Sequence, residues 1–369
     1  MSDFTPFDES AMRRALELAA RGLYGTHPNP RVGAVLARDN EIVGEGWHER
    51  PGEAHAEPNA IRAAGERARG ASAYVSLEPC SHHGRTPPCV DALLAAGVRR
   101  VVYAIGDPDP RVNGRGERLL RDAGVTVEAG LLAHEAEAIN AGFLMRNRRG
   151  RPFIRLKSAA SLDGATALAN GASQWITSEE ARADVQHWRA QSSAVLTSAA
   201  TVLADDPRLD VRIDTPRQPL RVVLDRRRQV GRKARILGPP GEVLLFAAAK
   251  PGGTAKADEH FGAARITRVR VLRGHLDLAR VFATLGELAI NEVLVESGPR
   301  LAGALFAAGL VDEWLLYLAP KLLGRGAKPL ADLPRLTKLA AARQFDILDT
   351  QAVGPDLRLR LRPRVKQGK

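Results

Sequence analysis

The chain has 369 residues, and 54 Lys and Arg against 42 Asp and Glu leave a formal net charge of +12. With 44% hydrophobic and 26% charged residues, and no run of ~18 apolar residues, its composition predicts a soluble protein without a transmembrane helix. Residues 1–6 lack the basic and apolar regions of a secretory signal, and the two cysteines, Cys80 and Cys89, are too few for a disulfide framework, so the expected location is cytoplasmic.

At roughly 150 residues per domain the length predicts two domains. In the first, Asp8 is positioned to cap a helix over 9–21 that ends at Gly22. Strands are expected at 32–37 and 41–46, a helix at 57–68, a buried strand at 73–77, a helix at 90–96 and a strand at 100–104. A helix at 117–122, a strand at 125–129 and a helix at 133–144 complete the set, and the basic, Gly- and Pro-containing run 146–152 reads as the domain boundary. The second half predicts strands at 153–158, 194–197, 220–224, 243–246, 269–272, 292–295 and 314–318, with helices at 178–191, 278–288 and 300–308. Strands separated by helical stretches indicate α/β layering in both halves.

The positive balance favours anionic partners. Aromatic residues make up only 5%, too few for a single-strand stacking platform, and the basic residues are dispersed apart from 358–369, which reads as a final strand and a solvated end. A phosphorylated small molecule fits better than nucleic acid, and no membrane partner is expected.

The most informative cluster is His55-Ala56-Glu57, followed by Pro79-Cys80 and by Cys89. One imidazole and two thiolates are the three protein ligands that a catalytic zinc uses, with a fourth position open to water. Zinc brings the pKa of its water towards neutrality, and Glu57 is placed to take that proton and deliver it to a leaving amine. Pro58 suits the first turn of a helix opened by Glu57, and both ligand sets fit helix N-termini, where the dipole favours thiolate. Two other readings are ordinary buried thiols, and a closed structural zinc using His82 or His83 as fourth ligand; the missing fourth ligand and the placement of Glu57 favour catalysis.

These residues resemble the zinc-deaminase signature of the cytidine-deaminase superfamily. Eight residues separate the cysteines, and the run 77–89, Leu-Glu-Pro-Cys-Ser-His-His-Gly-Arg-Thr-Pro-Pro-Cys, together with His27-Pro28-Asn29-Pro30-Arg31-Val32-Gly33, resembles the bifunctional riboflavin-biosynthesis deaminase/reductase family. So do Lys157–Gly164, 173–177, 201–207 and 295–299 of the second half, so that the resemblance spans nearly the whole chain. The chain departs from the family pattern at Pro58 and Asn59, and at Asp109 within Asp107-Pro108-Asp109-Pro110.

The resemblance implies a cytidine-deaminase-like three-layer αβα domain over 1–147 and a dihydrofolate-reductase-like α/β domain over 151–364. It implies one zinc per chain on His55, Cys80 and Cys89, with Glu57 catalytic, Asn29 in the pyrimidine pocket, and His82, His83 and Arg85 on a loop suited to a phosphorylated sugar. It implies NADPH in the second domain, against Ala159, Trp175, Thr201, Asp205 and the turn Gly298, Pro299, Arg300, Leu301, Ala302, Gly303 and Ala304. That turn is a strand, a Gly turn and a helix start, whose free backbone N–H groups suit a pyrophosphate. Ser173, Arg189, Leu209, Arg212 and Glu296 match substrate contacts, the two arginines as phosphate ligands. Arg226 either holds the cofactor's 2′-phosphate or lies in a solvated loop. Gly114-Arg115-Gly116 mimics a dinucleotide fingerprint but lacks its third glycine and does not directly follow a strand.

The implied activity is hydrolytic deamination of 2,5-diamino-6-(5-phosphoribosylamino)pyrimidin-4-one, then reduction of its ribosyl chain to 5-amino-6-(5-phosphoribitylamino)uracil. A homo-oligomer through the reductase domain is a further expectation of the family. The rival readings are an RNA- or nucleoside-acting deaminase with an appended binding domain, a non-catalytic zinc module, and a deaminase whose reductase domain is silent.

Overall fold

In the computed structural model, which describes residues 4–82, 87–109, 113–249 and 259–364, Thr5 rather than Asp8 caps the first helix. Pro6 begins α1 (Pro6–Arg21); Thr5 Oγ1 accepts the Asp8 N–H at 3.1 Å, and Asp8 Oδ2 accepts the Thr5 N–H at 2.8 Å. This reciprocal box, with proline at the position that needs no N–H, moves the helix start three residues upstream of the expected one.

The chain divides into two units, Met1–Gly150 and Arg151–Lys369. The first carries β1 (Gly33–Arg38), β2 (Glu41–Trp47), α2 (Ala56–Ala64), β3 (Ser72–Val75), α3 (Cys89–Ala95), β4 (Arg100–Tyr103), α4 (Arg115–Asp122) and β5 (Thr126–Ala129). Its sheet runs β2-β1-β3-β4-β5, with β1 antiparallel to its neighbours and β3, β4 and β5 parallel. Alternation along the strands splits the apolar residues between the two faces. Ala34, Leu36 and Val101 pack with Ala60, Leu93 and Leu120 of α2, α3 and α4, whereas Val35 and Val102 pack with Met12 and Leu16 of α1. The result is a three-layer αβα arrangement.

The expected helix at 133–144 is two helices, α5 (Ala133–Ile139) and α6 (Ala141–Arg149). Asn140 breaks it, because its amide bonds both the N–H and the carbonyl of Arg31 at 2.8 Å. The basic run at 146–149 continues α6, which ends at Gly150 with φ 67°.

The second unit contains β6 (Phe153–Ser161), β7 (Ala165–Ala167), α7 (Glu179–Gln191), β8 (Ala194–Ser198), α8 (Ala199–Asp205), β9 (Leu220–Leu224), β10 (Val243–Ala248), β11 (Glu259–Phe261), β12 (Ala264–Val269), β13 (Val271–Leu272) and β14 (His275–Leu276). These are followed by α9 (Leu278–Glu287), β15 (Glu292–Glu296), α10 (Pro299–Ala307), β16 (Glu313–Ala319), β17 (Lys328–Pro329), β18 (Phe345–Val353) and β19 (Asp356–Pro363). Ten strands form one sheet in the order β11-β12-β10-β9-β8-β15-β6-β16-β19-β18, parallel from β12 to β16. One face packs on α9 and α10 through Phe282, Leu285, Leu305 and Phe306, the other on α7 and α8 through Val185 and Val202.

Instead of one strand at 269–272 the chain forms β12 and the short β13–β14 ladder; the expected final strand is β19, antiparallel to β16 and to the unanticipated β18. No helix among the described residues is long and apolar enough to cross a membrane.

Candidate active sites

In the first unit, His55 is the residue immediately before α2, Glu57 lies in the first turn of that helix, and Cys89 opens α3. Cys80 is on irregular backbone after β3, and its Sγ meets the N-terminus of α3 by accepting the Cys89 N–H at 3.3 Å. One ligand atom from each of His55, Cys80 and Cys89 falls within 4.8 Å of the others. His55 Nδ1 is 3.3 Å from Cys89 Sγ and 3.5 Å from Cys80 Sγ. A tetrahedral zinc with bonds of about 2.3 Å to sulfur and about 2.0 Å to nitrogen separates such atoms by about 3.5 Å, so the donor set fits that ion in chemistry and in spacing. His82 is not part of the cluster, which leaves three ligands among the described residues.

The site is polarised. The Cys89 thiol, together with His55, holds the Cys80 thiol down at about 4, and that bond and burial push Cys89 up. Burial and the neighbouring Cys80 sulfur raise Glu57 to about 7.

Asn29 lies beside this cluster, with Nδ2 3.0 Å from His48 Nε2. The His48 and His55 rings meet edge to face at 5.2 Å, and His48 Nδ1 is 3.2 Å from the Ala54 carbonyl. Burial keeps the His48 pKa below its ordinary value. Sequence reasoning passed over His48; its only signal is a histidine seven positions before His55. Ser81 Oγ and His82 Nδ1 are buried with no hydrogen-bond partner among the described residues. His83 and Arg85 lie outside the described residues.

The second unit holds a cavity of about 1180 Å³ at the carboxyl ends of its parallel strands, where open α/β sheets bind ligands. Ala159, Ser173, Trp175, Thr201, Asp205 and Leu209 line it, as do Arg189, Arg212, Glu296 and residues 298–301. Trp175 is 65% exposed, with the Arg182 guanidinium 4.6 Å over its ring. Leu209 is buried with φ 54°, a left-handed backbone that a leucine adopts only under constraint.

The N-terminus of α10 has no side-chain cap, which leaves its first-turn N–H groups available. A Cβ placed on Gly298 would meet nothing within 4 Å, and the nearby Ser297 Oγ, also in the lining, is buried without a partner among the described residues. An uncapped helix start, an orphaned hydroxyl and open space above the glycine together fit a dinucleotide's phosphates.

Arg226 is half-buried in the turn after β9, and neither it nor Ala302, Gly303 or Ala304 lines the cavity. Gly303 serves packing, since a Cβ there would lie 1.9 Å from the Asp332 carbonyl oxygen. Arg189 differs from a free phosphate ligand: its guanidinium is already engaged by Glu296 and by the Asp210 carbonyl. Lys157, register partner of Glu296 on β6, also lines the cavity, and desolvation lowers its pKa.

The family described as "RibD C-terminal domain" matches residues 152–359, and "Cytidine and deoxycytidylate deaminase zinc-binding region" matches residues 5–105. The riboflavin biosynthesis protein RibD of Escherichia coli K12 is 53% identical, over 96% of this chain and 99% of its own. The RibD of Bacillus amyloliquefaciens is 41% identical, over 98% and 97%. Among solved structures, Acinetobacter baumannii RibD superposes with a TM-score of 0.88 at 42% identity, covering 97% of this chain and 99% of that one. A diaminohydroxyphosphoribosylaminopyrimidine deaminase/5-amino-6-(5-phosphoribosylamino)uracil reductase from Thermotoga maritima gives 0.86 at 32% identity, with the same coverage.

Proposed function

The chain belongs to the RibD family of riboflavin-biosynthesis proteins, a zinc-binding deaminase joined to a reductase, and on that premise we propose its substrate, its reductase cofactor and the residues that handle each. The first unit replaces the 2-amine of 2,5-diamino-6-(5-phosphoribosylamino)pyrimidin-4-one with oxygen from water and releases ammonia. The second reduces the ring-opened imine of the ribosyl chain, with hydride from NADPH going to C1′ and a proton to the imine nitrogen, and yields 5-amino-6-(5-phosphoribitylamino)uracil. The observation that supports this most directly is one chain holding both the His55–Cys80–Cys89 triad beside a buried Glu57 and a phosphate-ready cavity at β15 and α10.

His55, Cys80 and Cys89 would hold the zinc, which when bound would supply the Lewis acidity that lowers the pKa of a water towards neutrality. Glu57, buried in the first turn of α2 beside the three ligands, would take a proton from the attacking water and return it to the departing amine. His48 Nδ1–H donates to the Ala54 carbonyl, so its Nε2 accepts from Asn29 Nδ2. That leaves Asn29 Oδ1 to accept from a ring amine of the pyrimidine. Ser81 Oγ and His82 Nδ1 gain partners in the phosphoribosyl arm.

In the second unit, NADPH supplies the hydride. The first-turn N–H groups of Arg300 and Leu301, Ser297 Oγ and Thr201 would hold its pyrophosphate, and Ala159, Trp175 and Asp205 would complete its contacts. Arg212 meets the substrate phosphate; Ser173 and Leu209 line its path, and Arg189 orients Glu296. Arg226, outside the lining, is assigned no contact.

Mass spectrometry of the pyrimidine incubated with zinc-loaded protein, with and without NADPH, tests the whole scheme. Deaminated product alone without NADPH, and deaminated plus reduced product with it, is the expected outcome. Deamination that never proceeds to reduction would remove the reductase half, and no change at all would refute the substrate.

A further inference from the structure

The glycine-rich turn at 114–116 resembles a phosphate loop ahead of a helix, yet in the structure its amides already hold an anion from this chain. Glu78 is buried at 3% exposure; its Oε2 accepts the N–H of Gly114 at 3.0 Å and of Asp107 at 3.3 Å. Oε1 accepts the N–H of Gly116 at 3.1 Å and of Glu117 at 3.4 Å. Three of these donors belong to the start of α4, which has no capping side chain of its own. A carboxylate there satisfies orphan donors and meets the positive end of the helix dipole.

Two residues further on stands Cys80. Of the three metal ligands it alone lies on no helix of its own, since His55 abuts α2 and Cys89 opens α3. On its far side α3 holds it, the Cys89 N–H donating to Cys80 Sγ at 3.3 Å and the Val90 N–H to the Cys80 carbonyl at 3.2 Å, which leaves the approach through 78–79 to be fixed. The residue between is clamped as well: a Cβ on Gly116 would lie 2.2 Å from the Pro79 carbonyl oxygen, so only glycine lets that backbone pass so close to α4. Both residues before the ligand are therefore held, Glu78 through its side chain and Pro79 through its backbone. The same carboxylate anchors Asp107, whose own carboxylate accepts the Asp109 N–H at 2.8 Å, so one group ties the Cys80 backbone to the 107–109 loop.

We propose that Glu78 is a positioning residue of the zinc centre, an internal anion seated in the amide cradle of α4 that fixes the backbone from which Cys80 reaches the metal. This rests on His55, Cys80 and Cys89 being the zinc ligands. Groups that orient metal ligands typically alter affinity or activity by about 10- to 100-fold when changed.

The test uses the full-length chain stripped of metal and titrated with Co²⁺, reading the thiolate-to-cobalt charge-transfer band and the visible ligand-field bands, with Zn²⁺ competition for affinity. Glu78→Gln keeps the shape but sets N–H against N–H on one side of the cradle. Gly116→Ala pushes on Pro79 and leaves the Glu78 charge intact. Both are expected to weaken metal binding by about 10- to 100-fold and to shift the ligand-field bands, while reduction of pre-deaminated substrate stays at the parental rate. Parental affinity and spectrum in both variants would overturn the proposal. Should Glu78→Gln lose the reductase activity as well, Gly116→Ala decides alone, by the same two criteria. Cys80→Ser separates the premise: it must lose thiolate charge-transfer intensity, and an unchanged band would refute Cys80 as a ligand whatever Glu78 does.

Discussion

Arg189 Nε and Nη2 donate to the two carboxylate oxygens of Glu296 at 2.6 and 3.0 Å, and Nη1 donates to the Asp210 carbonyl at 3.1 Å. The pair ties α7 to the end of β15 within the wall of the reductase cavity. Burial alone would push Glu296 up, but Arg189, and then Lys157, outweigh it and hold the carboxyl below its ordinary value. Three of the five Arg189 N–H groups are thus engaged within the chain. Arg212, in contrast, is 52% exposed and meets Asp210 only at 3.3 Å, so it keeps donors for an incoming anion.

The two arginines should therefore fail differently. Arg212→Ala is expected to raise the reductase KM for the phosphorylated substrate about tenfold to hundredfold, from the loss of about 1.5–3 kcal/mol of charged hydrogen bonding, with kcat little changed. Arg189→Ala removes the bidentate partner of Glu296, leaving only the charges of Lys157 and Arg212 nearby, and should cost the second unit about 3 kcal/mol in denaturant unfolding. Steady-state kinetics beside urea titration checks both; an Arg189 variant that affects only KM would return that residue to the role of phosphate ligand.

The cofactor assignment makes a separate forecast at Gly298. A side chain there meets no protein atom within 4 Å, so Gly298→Trp should fold normally and fill only the space above the α10 amides. NADPH binding, followed by its fluorescence, should weaken by more than about a hundredfold if two charge-assisted bonds of about 1.5 kcal/mol or more are lost. Thr201→Ala should weaken it by about tenfold. Deamination should persist in both. Undiminished NADPH binding by the tryptophan variant would place the cofactor elsewhere.

The zinc triad was legible in the sequence because the chemistry restricts both residue type and order: imidazole, carboxylate two positions on, proline before the first thiolate. The layering was legible because buried parallel strands read as short apolar runs such as 220–224 and 292–295. What escaped depends on partners remote in sequence. Asn140 ends a helix by bonding Arg31, and no local periodicity records that contact. Asp8 reads as a local cap, yet its second oxygen belongs to Tyr74 and Arg100. Arg189 carries no mark in the sequence of being consumed by a carboxylate 107 residues away. The final strand β19 is legible, but its partner β18 has exposed Ile347 and Leu348 among its apolar residues, so its alternation lacks the inside–outside contrast on which strand recognition depends.

Glu57→Gln should abolish proton transfer while keeping the size of the side chain. Deamination is expected to fall by at least about 10²- to 10⁴-fold, the usual contribution of a positioned acid–base group. Zinc content, measured by atomic emission, should stay at one per chain, and reduction of pre-deaminated substrate should be unchanged. Full deamination in this variant would leave the zinc site without its proton carrier and would favour a non-catalytic role for the cluster.

The last forecast concerns Asp8, whose carboxylate accepts from Tyr74 Oη at 2.6 Å, Arg100 Nη1 at 2.5 Å and the Thr5 N–H at 2.8 Å, joining α1 to β3 and β4. Burial alone would raise its pKa, but the bonds from Arg100, Tyr74 and Thr5 together hold it well below the ordinary value of 3.8. A carboxyl whose folded pKa is depressed binds more protons unfolded than folded at low pH, so its stabilisation is complete above the unfolded value and is lost as the pH falls through the folded one. Asp8→Asn should thus cost the first unit about 3 kcal/mol at pH 7, as expected for breaking a largely buried ion pair. The deficit relative to the parent should shrink as the pH drops below about 4, because the parent loses what the variant never had. Urea-dependent hydrogen exchange at the β3 and β4 amides reads this locally. A deficit that persists undiminished at pH 3 would show that Asp8 acts through shape rather than charge, and no deficit at pH 7 would show that Arg100 is satisfied by Glu128 alone.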